Sequence, residues 1–584
     1  MTRMQGLLRI VSVVFILALL TAGTFWSISS QPPRIAHAEN NGVAVTPFMG
    51  WSTWNFIGHN PTEANVEAQA RAEATNLKAH GFTYVMLDDF YYLDPRTTVD
   101  SFGRWVVDPA KFPHGLKAVA DYVHGLGLKF GSYLTPGIPV AAVNQNTPIE
   151  GTGFHAKDIA NTSKLELNYN FHNVNYYIDY SKPGSQAFIN SWANQLASWG
   201  VDFLKIDGVG TFDIPDIQAW SQALNNSGRP ILFDLSNNLN VNSGSVWEQN
   251  ANAWRTGGDV ECYGGCPGHL VDWSHISSHF ASSPKWAQFA GPGGWNDLDA
   301  MDVADGNLDG ITNTERQTYM TMWASVAAPM YMGDDLTTMD SFGLSLLSND
   351  EVIAVDQAGK VATPVSQASS QQVWRVKNAD GSFTVALFNL GTSTATVTAN
   401  WSDLGFSGSA AVHDVWSHGD LGSFTNSFSA SLASHASRLL KVTAGSGGGT
   451  PTPTPNPGTT SYEAESSANT LAGGAKVATC SACSGGQKVG FVGKGGTLQF
   501  NSVSKSMAGS YTLTIYYVDG DAGRTANMSV NGGTATSITF HGTNDSNWNF
   551  VQHLTVTVNL NAGNNTILFS NPTAWAPDFD RITV

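Results

Sequence analysis

A lysine and an aspartate end one short apolar run in the middle of the chain. Residues 201–208 (VDFLKIDG) have the composition of a buried strand that delivers Lys205 and Asp207 two positions apart. Residues two positions apart on a strand share a face. At the carboxyl end of a strand in a parallel barrel that face is the active-site face, so Asp207 is a candidate nucleophile. An aspartate that caps the next helix or pairs with its own lysine is the alternative.

Further aspartates end other strand-like runs, namely Asp88, Asp89, Asp234, Asp259 and Asp297. Solvated loops would scatter such charges, whereas this pattern concentrates carboxylates on one face. Glycoside hydrolysis needs two carboxyl groups that flank an anomeric carbon. Asp207 and Asp259 end the fourth and sixth runs and could face each other across a barrel mouth. Spacing alone assigns neither the nucleophile nor the carboxyl separation that predicts retention or inversion.

Eight strand-like runs alternate with helical patterns between residues 41 and 333. This alternation predicts a (β/α)8 TIM barrel over residues 39–358. One helix is indicated by the spacing of Leu116, Val119, Ala120 and Val123. The seventh strand is expected to start within the run 286–289. The polar segment 138–180 is longer than a usual βα loop, which indicates a substrate-facing wall, with an ordinary surface insertion as the alternative.

The rest of the chain changes character twice. Residues 359–443 lose helical periodicity and predict an antiparallel β-sandwich. Residues 444–460 (AGSGGGTPTPTPNPGTT) form a Gly/Ser and Thr-Pro linker. Residues 461–584 are rich in strand-like runs and Gly/Asn turns and predict a second β-sandwich of jelly-roll type. A chain of 584 residues is expected to hold several such domains.

Composition and the termini limit the partners and the compartment. A net charge of −17 argues against nucleic acid and anionic membranes as partners. Arg3 and Arg9 precede an apolar run, and residues 36–38 (AHA) fit a cleavage site, so residues 1–38 are expected to be a secretory signal peptide. A retained anchor is the alternative. We therefore expect a secreted, extracellular protein with no membrane partner after signal cleavage.

Four cysteines fall into two local pairs, Cys262 with Cys266 and Cys480 with Cys483. A single zinc site would need both pairs together, yet they lie far apart on opposite sides of the linker. Disulfides are permitted in exported proteins. Two short-loop disulfides are the better prediction, and free buried thiols are the alternative.

Residues 44–443 resemble glycoside hydrolase family 27, the α-galactosidase family. Ordered motifs carry the resemblance: 46–55 (TPFMGWSTWN), 88–89 (DD), 205–208 (KIDG), 254–259 (WRTGGD), 293–297 (GGWND) and 349–357 (NDEVIAVDQ). It implies a secreted exo-glycosidase that removes terminal α-galactosyl residues from oligo- or polysaccharides by a retaining double displacement, with no cofactor for catalysis. Asp207 would attack the anomeric carbon, and Asp259 would protonate the leaving oxygen and then activate water.

The resemblance also implies a substrate-binding set: Trp54, Asp88, Asp89, Tyr133, Lys205, Asp234, Arg255 and Asp297. Asp88 and Asp89 would accept hydrogen bonds from the 4- and 6-hydroxyls, Trp54 would supply an apolar wall, and Tyr133 would supply a hydroxyl. Core packing is the alternative for Trp54, and fixing of its loop is the alternative for Asp297.

The charged residues near the two candidate carboxylates lead to three further expectations. Lys205 should favour the carboxylate form of Asp207. Asp259 must hold a proton, so its pKa should be raised by burial or by neighbouring carboxylates. Arg255 would oppose that if it contacted Asp259, so it is expected to point at sugar hydroxyls.

Three departures leave the sugar open. Phe90 and Tyr91 stand where the family carries Cys-Trp, residues 233–238 (FDLSNN) replace a Cys-Glu-Trp signature, and Val209 lies near the place of a cysteine. β-L-Arabinopyranosides, α-N-acetylgalactosaminides and isomaltosyl or dextran linkages are therefore alternatives. A non-catalytic carbohydrate-binding protein is the alternative of another class, and it is disfavoured because both carboxylates are present.

The C-terminal region resembles a family 35 carbohydrate-binding module, through residues 462–465 (YEAE), 485–490 (GGQKVG) and 578–582 (DFDRI). Glu463, Glu465 and Asp580 are hard oxygen donors expected to bind a structural calcium, with plain surface acids as the alternative. Asn571 and Trp575 lie in the last loop and are the predicted sugar-binding residues of the module.

Overall fold

The computed structural model describes residues 41–166, 174–237, 239–263, 265–266, 268–445, 460–505, 508–544 and 546–584. The predicted signal peptide (1–38) and all but the ends of the predicted linker lie outside these ranges. Among the described helices, none has the length and apolar character needed to cross a bilayer.

Eight parallel strands form the centre of the catalytic region. They are β1 Met49–Ser52, β2 Tyr84–Met86, β3 Lys129–Leu134, β4 Phe203–Ile206, β5 Leu232–Leu235, β6 Ala253–Arg255, β7 Trp295–Asp297 and β8 Met330–Met332. They pair in the order β7-β6-β5-β4-β3-β2-β1-β8. A parallel bridge between Met301, which follows β7, and Met332 of β8 joins the two ends of the sheet. The TIM-barrel prediction is confirmed, and the carboxyl ends of its strands share one face.

Helices follow the strands in turn and cover the outside of the sheet: Glu63–Asn76, Gly115–Gly125, Ser185–Trp199, Ile214–Asn226, Gly244–Asn250, Trp273–Trp286, Asn313–Ser325 and Asp350–Gln357. Shorter helices are Trp54–Ile57, Val140–Gln145, Ala156–Ile159 and Ser341–Leu347. Helix Gly115–Gly125 buries Leu116, Val119, Ala120 and Val123. The predicted apolar stripe is therefore the face that packs on the barrel.

The seventh strand lies later in the chain than predicted. Trp286 ends the helix Trp273–Trp286 and is buried there together with Ile276 and Phe280. Gly291 and Gly294 then form a bridge that turns the chain into β7. The expectation for residues 286–289 was wrong because a four-residue apolar run fits a buried helix end as well as a strand.

The segment 138–180 contains a small antiparallel sheet with strands Ile138–Pro139, Ala160–Leu165 and Asn175–Ile178. Its last residue, Tyr180, and the residue that precedes the segment, Gly137, both contact Asp216 in the helix that follows β4. The Tyr180 hydroxyl donates to Asp216 Oδ1 at 2.8 Å, and the Gly137 N–H donates to the same oxygen at 3.2 Å. The insertion is thus fixed beside the strand that carries Lys205.

An antiparallel sandwich follows the barrel, as predicted. One sheet holds strands Thr363–Pro364, Gln371–Lys377, Phe383–Asn389, Ser409–Asp414, Gly419–Thr425 and Ser437–Ala444, and the other pairs Ala395–Asn400 with Ser427–Leu432. Phe280 of the barrel contacts Phe388 of the sandwich with ring centroids 4.8 Å apart, and Trp374 at 5.9 Å. Barrel and sandwich therefore share one apolar core.

The C-terminal region forms two antiparallel sheets. The first contains Lys476–Thr479, Gln487–Gly490, Asp578–Thr583, Gly509–Val518 and Gln552–Leu560, and Ser461–Glu463 pairs with Asp578–Thr583. The second contains Thr470–Ala472, Thr497–Lys505, Gly563–Ser570, Gly523–Val530 and Thr536–His541. Pairing of the first and last strands brings Glu463 next to Arg581, one residue from Asp580.

Candidate active site

Three neighbouring strands bring the candidate nucleophile and its partners together. Asp207 directly follows β4, and its backbone N–H donates to the Leu134 carbonyl of β3 at 2.9 Å. Lys205 of β4 lies in register with Tyr133 of β3 and Asp234 of β5. The Tyr133 hydroxyl donates to Asp207 Oδ2 at 3.2 Å. The carboxylate of Asp207 therefore sits at the mouth of the barrel, as predicted.

Lys205 is a charged group in a mostly buried position. Its Nζ donates to Asp88 Oδ2 at 2.8 Å, and the Asp88 side chain is only 4% exposed. Burial lowers the pKa of Lys205, but the charges of Asp88 and Asp207 outweigh burial and raise it. Lys205 therefore remains an ammonium, placed between the Asp88 carboxyl and the end of β4 that carries Asp207.

Asp89 is completely buried beside Asp88. Its Oδ1 accepts hydrogen bonds from the Phe90 N–H at 2.6 Å and the Tyr92 hydroxyl at 2.5 Å, while Oδ2 is buried and has no hydrogen-bond partner among the described residues. Burial raises the pKa of Asp89 to about 7, although the bonds from Tyr92 and Phe90 act in the opposite direction. Asp89 is thus easily protonated, unlike an exposed aspartate.

Asp234 and Asp297 complete the carboxylate face. Burial, together with the charge of Asp297, raises the pKa of Asp234 well above its usual range. In the part of the chain that the structure describes, Asp234 Oδ1 has no hydrogen-bond partner. Asp297 accepts from the Asp299 N–H at 2.8 Å and from the Tyr331 hydroxyl at 3.2 Å. Burial also raises the pKa of Asp297. Its contacts are those of a residue that fixes the loop after β7.

The expectation that Arg255 points at sugar hydroxyls was wrong. Its guanidinium is 2% exposed and contacts two carboxylates, Asp259 Oδ1 and Asp299, the latter at 2.8 Å. Arg255 ends β6 in register with Asp297 of β7, so its head lies deep among acids. A buried guanidinium must be paired, and these are the nearest carboxylates.

The expectation of a raised pKa for Asp259 was also wrong. Burial acts to raise its pKa, but the charges of Arg255 and Lys205 and the hydrogen bond from Tyr263 together lower it. The Asp259 side chain is still 45% exposed. The arrangement therefore favours the carboxylate, which is the form that a general base requires.

Two residues that follow Asp259 belong to the site and were missed by sequence reasoning. The Tyr263 hydroxyl donates to Asp259 Oδ2 at 3.1 Å and accepts from Trp54 Nε1 at 3.1 Å. Trp54 Nε1 also donates to Glu261 Oε1. Burial, then the charge of Asp259, raises the pKa of Glu261. The available signal was their alternation with Asp259, two and four positions after it.

Trp54 lies at the mouth and does not belong to the barrel core. Its ring stacks on Phe90 with centroids 6.3 Å apart, and Phe90 stacks on His59 at 4.1 Å. Trp51, in contrast, is fully buried. Phe90 thus extends an aromatic surface at the position where the family carries cysteine.

Both predicted disulfides are confirmed, Cys262–Cys266 and Cys480–Cys483. The first closes the turn that carries Tyr263. The second lies in the C-terminal region, where both cysteines are buried against Val518.

The predicted calcium ligands Glu463, Glu465 and Asp580 lie in one neighbourhood of the C-terminal region, since burial and the charges of both glutamates raise the pKa of Asp580. They are not among the groups of described residues whose ligand atoms all lie within 4.8 Å of one another. Among the described residues, Glu463 Oε2, Glu465 Oε2 and both carboxyl oxygens of Asp580 are buried without a hydrogen-bond partner, while the Arg581 guanidinium lies 3.7 Å from Asp580 Oδ2. Burial raises the pKa of Asp580 to about 8 and that of Glu465 to about 7. Hard, unsatisfied oxygens of this kind fit a calcium ion.

Trp575 and Asn571 occupy different positions in their shared loop. Trp575 is 37% exposed and meets Phe491, which is 51% exposed, edge to face at 6.0 Å. Asn571 is buried, and its Nδ2 donates to the Thr525 carbonyl at 2.8 Å while its Oδ1 accepts from backbone N–H groups of the loop. Asn571 therefore holds the loop that presents Trp575.

A parallel barrel with carboxylates gathered at its mouth and an antiparallel sandwich behind it defines a glycoside hydrolase. Residues 46–144 and 171–358 match the family model described as alpha galactosidase A, and residues 368–442 match the alpha galactosidase C-terminal beta sandwich domain. The chain belongs to the α-galactosidase family, glycoside hydrolase family 27, and is an α-galactosidase-type glycosidase.

Individual proteins agree with this assignment. The α-galactosidase of Cyamopsis tetragonoloba is 34% identical over 416 residues, which cover 70% of this chain and 88% of that protein. The GH27 β-L-arabinopyranosidase of Geobacillus stearothermophilus is 32% identical, with a TM-score of 0.65 over 70% of this chain and 99% of that chain. α-Galactosidase I of Mortierella vinacea is 29% identical, with a TM-score of 0.55 over 69% and 98%.

In the Asp89→Asn variant, stability against unfolding is expected to decrease less as the pH rises. The pKa of Asp89 is about 7 in the folded protein against 3.8 ordinarily, so its contribution is complete below its ordinary pKa and is lost as the pH rises through about 7. An amide keeps the Oδ1 acceptor and cannot ionise. Thermal midpoints at about pH 5 and about pH 8 should differ less in the variant than in the parent protein.

Asp121→Asn, on the outside of helix Gly115–Gly125 and 61% exposed, is the matched control. Its two midpoints should differ as much as those of the parent. An Asp89→Asn protein that keeps the full parental difference would contradict the assignment.

Proposed function

We propose that this chain is a retaining exo-glycosidase that hydrolyses terminal α-galactosyl residues, with Asp207 as nucleophile and Asp259 as acid and base. One observation carries the proposal. Asp207 projects from β4 beside the Lys205 ammonium and the Tyr133 hydroxyl, while Asp259 projects from the loop after β6 with Arg255 on one oxygen. The two carboxyls are thus supported by separate sets of donors, as two different roles require.

In the first step an oxygen of Asp207 attacks the anomeric carbon as the glycosidic C–O bond breaks, and Asp259 transfers its proton to the leaving oxygen. In the second step Asp259 removes a proton from water, whose oxygen attacks the anomeric carbon and releases Asp207. The Lys205 ammonium and the Tyr133 hydroxyl, which donates to Asp207 Oδ2 at 3.2 Å, position this carboxyl for the attack.

Substrate binding would raise the pKa of Asp259, as its role as an acid requires. A sugar seated over its 45% exposed side chain removes water from the carboxyl. Desolvation favours the neutral acid and raises the pKa. The acid form needed for the first step therefore gains population in the complex. Once the leaving group has departed, water reaches the carboxyl again, and Arg255 favours the carboxylate that acts as base in the second step.

The sugar is the finer part of the proposal. We assign the α-galactosyl group, the activity named for the Cyamopsis tetragonoloba relative. A β-L-arabinopyranosyl group is the second candidate, because it lacks only the hydroxymethyl carbon. It is favoured by the higher TM-score of the Geobacillus stearothermophilus β-L-arabinopyranosidase and by Phe90 at a departure from the family pattern.

Two accessory features support action on polymeric carbohydrate. Exposed Trp575 and Phe491 offer apolar ring faces to a sugar, in line with the resemblance of this region to a family 35 binding module. The disulfides fit an exported protein, as the predicted signal peptide implies. We therefore propose a secreted enzyme with a tethered carbohydrate-binding module.

Replacing each carboxylate and adding azide should separate the two roles. Asp207→Gly should lose turnover of an aryl α-galactoside by several orders of magnitude, and azide entering the vacated space should give the β-galactosyl azide. Asp259→Gly should still form the glycosyl-enzyme with an activated leaving group, and azide should then give the α-azide. Nuclear magnetic resonance distinguishes the two anomers.

Asp121→Asn is the control and should keep parental activity. Full activity of Asp207→Gly, or the same azide anomer from both variants, would contradict the assignment.

The sugar is tested by kcat/KM on matched aryl glycosides of α-galactose, β-L-arabinopyranose, α-N-acetylgalactosamine and an isomaltosyl unit. We expect the α-galactoside to be fastest and the β-L-arabinopyranoside second. A preference for the arabinopyranoside would replace the sugar and keep the mechanism. Absence of turnover on all four would contradict the proposed function.

Calcium is expected to bind the C-terminal region with Glu463, Glu465 and Asp580 as ligands. Calorimetric titration of the metal-free full chain should give binding heat at neutral pH and release of protons, because binding requires the ionised carboxyls. Glu465→Gln should weaken binding, whereas Asp521→Asn, 54% exposed in the same region, should not. Equal binding by the Glu465→Gln variant would contradict the site.

A further inference from the structure

The disulfide-closed turn after Asp259 places an exposed tyrosine against the acid and base candidate. Cys262 and Cys266 are bonded, and between them Tyr263 is 64% exposed. The turn is tied down on one side, since Glu261 bridges to Val271 and the Cys262 N–H donates to the Leu270 carbonyl at 2.8 Å. Tyr263 is thus held in place and its ring faces solvent.

The two oxygens of Asp259 have different neighbours. Oδ1 is engaged by Arg255, a buried cation that also holds Asp299. Among the described residues, the hydrogen-bond contact of Oδ2 is the Tyr263 hydroxyl, at 3.1 Å. Oδ2 is therefore the oxygen available to pass a proton to a glycosidic oxygen. A leaving group that receives this proton must lie beside Tyr263.

The Tyr263 hydroxyl also faces Glu261. The charged groups around the Asp259 carboxyl are Arg255, Lys205, Glu261 and Asp299.

The ring of Tyr263 adds an apolar surface at the same place. It lies 6.5 Å from the Trp54 ring, centroid to centroid, and Trp54 Nε1 donates to its hydroxyl at 3.1 Å. Trp54 in turn stacks on Phe90. An exposed aromatic ring whose polar tip is fixed has a free face for a sugar ring.

We propose that Tyr263 forms the subsite for the leaving-group sugar and that its hydroxyl contributes, with Arg255 and Lys205, to the protonation equilibrium of Asp259. The inference rests on the proposed function, because it takes Asp259 as the acid. The ligand class is a glycosyl leaving group, the second sugar of an oligosaccharide. Its ring packs on Tyr263 while its glycosidic oxygen meets Asp259 Oδ2.

Two effects follow and can be separated by substitution. A hydroxyl that donates to Oδ2 stabilises the carboxylate form of Asp259, so Tyr263→Phe should raise the pH at which the acid is lost. Tyr263→Ala also removes the ring, so binding of a leaving-group sugar should weaken. Neither change should matter when the leaving group needs neither a proton nor a sugar subsite.

The experiment compares a galactosyl oligosaccharide with α-galactosyl fluoride, whose fluoride leaves without protonation. On the oligosaccharide, Tyr263→Phe should move the alkaline limb of kcat/KM to higher pH and leave the acidic limb unchanged. Tyr263→Ala should lower kcat/KM on the oligosaccharide by about 10-fold, equivalent to about 1.4 kcal/mol, and change the fluoride less than about threefold. Tyr122→Phe and Tyr122→Ala, on the outer helix Gly115–Gly125, are matched controls expected to behave as the parent.

Activity of the parent enzyme tests the proposed function, whereas the Tyr263 variants test the subsite. If the parent hydrolyses neither galactosyl compound but does hydrolyse the corresponding β-L-arabinopyranosyl oligosaccharide and fluoride, kcat/KM of the variants relative to the parent is measured on those two compounds. Loss of the oligosaccharide and fluoride reactions by the same factor in Tyr263→Ala, with an unmoved limb in Tyr263→Phe, would overturn the subsite while leaving Asp207 and Asp259 intact. A parent inactive on both pairs would overturn the proposed function, and the inference with it.

Discussion

Two buried cations hold a larger set of carboxylates at the mouth of this barrel. Among the described residues, Lys205 pairs with Asp88, and Arg255 pairs with Asp259 and Asp299. Asp89, Asp234 and Asp297 share the same face with no cation of their own, and burial raises the pKa of each. Acids crowded in this way cannot all ionise, so the fold must hold protons among them. The chemistry uses that constraint, because one carboxyl must attack as an anion while another delivers a proton.

The barrel enforces the crowding through short parallel strands. Lys205 lies in register with Tyr133 on one side and Asp234 on the other, and Arg255 lies in register with Asp297. Side chains at equivalent heights on adjacent strands must converge at the carboxyl ends. The apolar core shared by barrel and sandwich, through Phe280 and Phe388, supports the helices that hold these strands. The positions of the side chains at the mouth thus depend on the packing of this shared core.

Much of the fold and of the candidate site could be predicted from the sequence, and each wrong or missed prediction has a physical cause. Asp207 was predictable because an apolar run followed by a charge is a local pattern, and the repeat of that pattern predicted the barrel. The seventh strand was misplaced because Trp286 is buried equally well at a helix end. The direction of Arg255 depends on Asp299, which comes close only through the pairing of β6 and β7. Tyr263 and Glu261 escaped notice because their roles arise from a turn that crosses to Trp54.

Asp207 is proposed to form a covalent bond to the sugar during turnover, and this is the central claim. A fluorinated galactosyl fluoride that slows breakdown of the covalent intermediate should label the enzyme, and peptide mass spectrometry of the trapped protein should identify the site. Our account predicts one sugar per chain, bound to Asp207, with release restoring activity. A label on Asp259 or Asp234, or turnover with inversion at the anomeric carbon and no trapped intermediate, would contradict it.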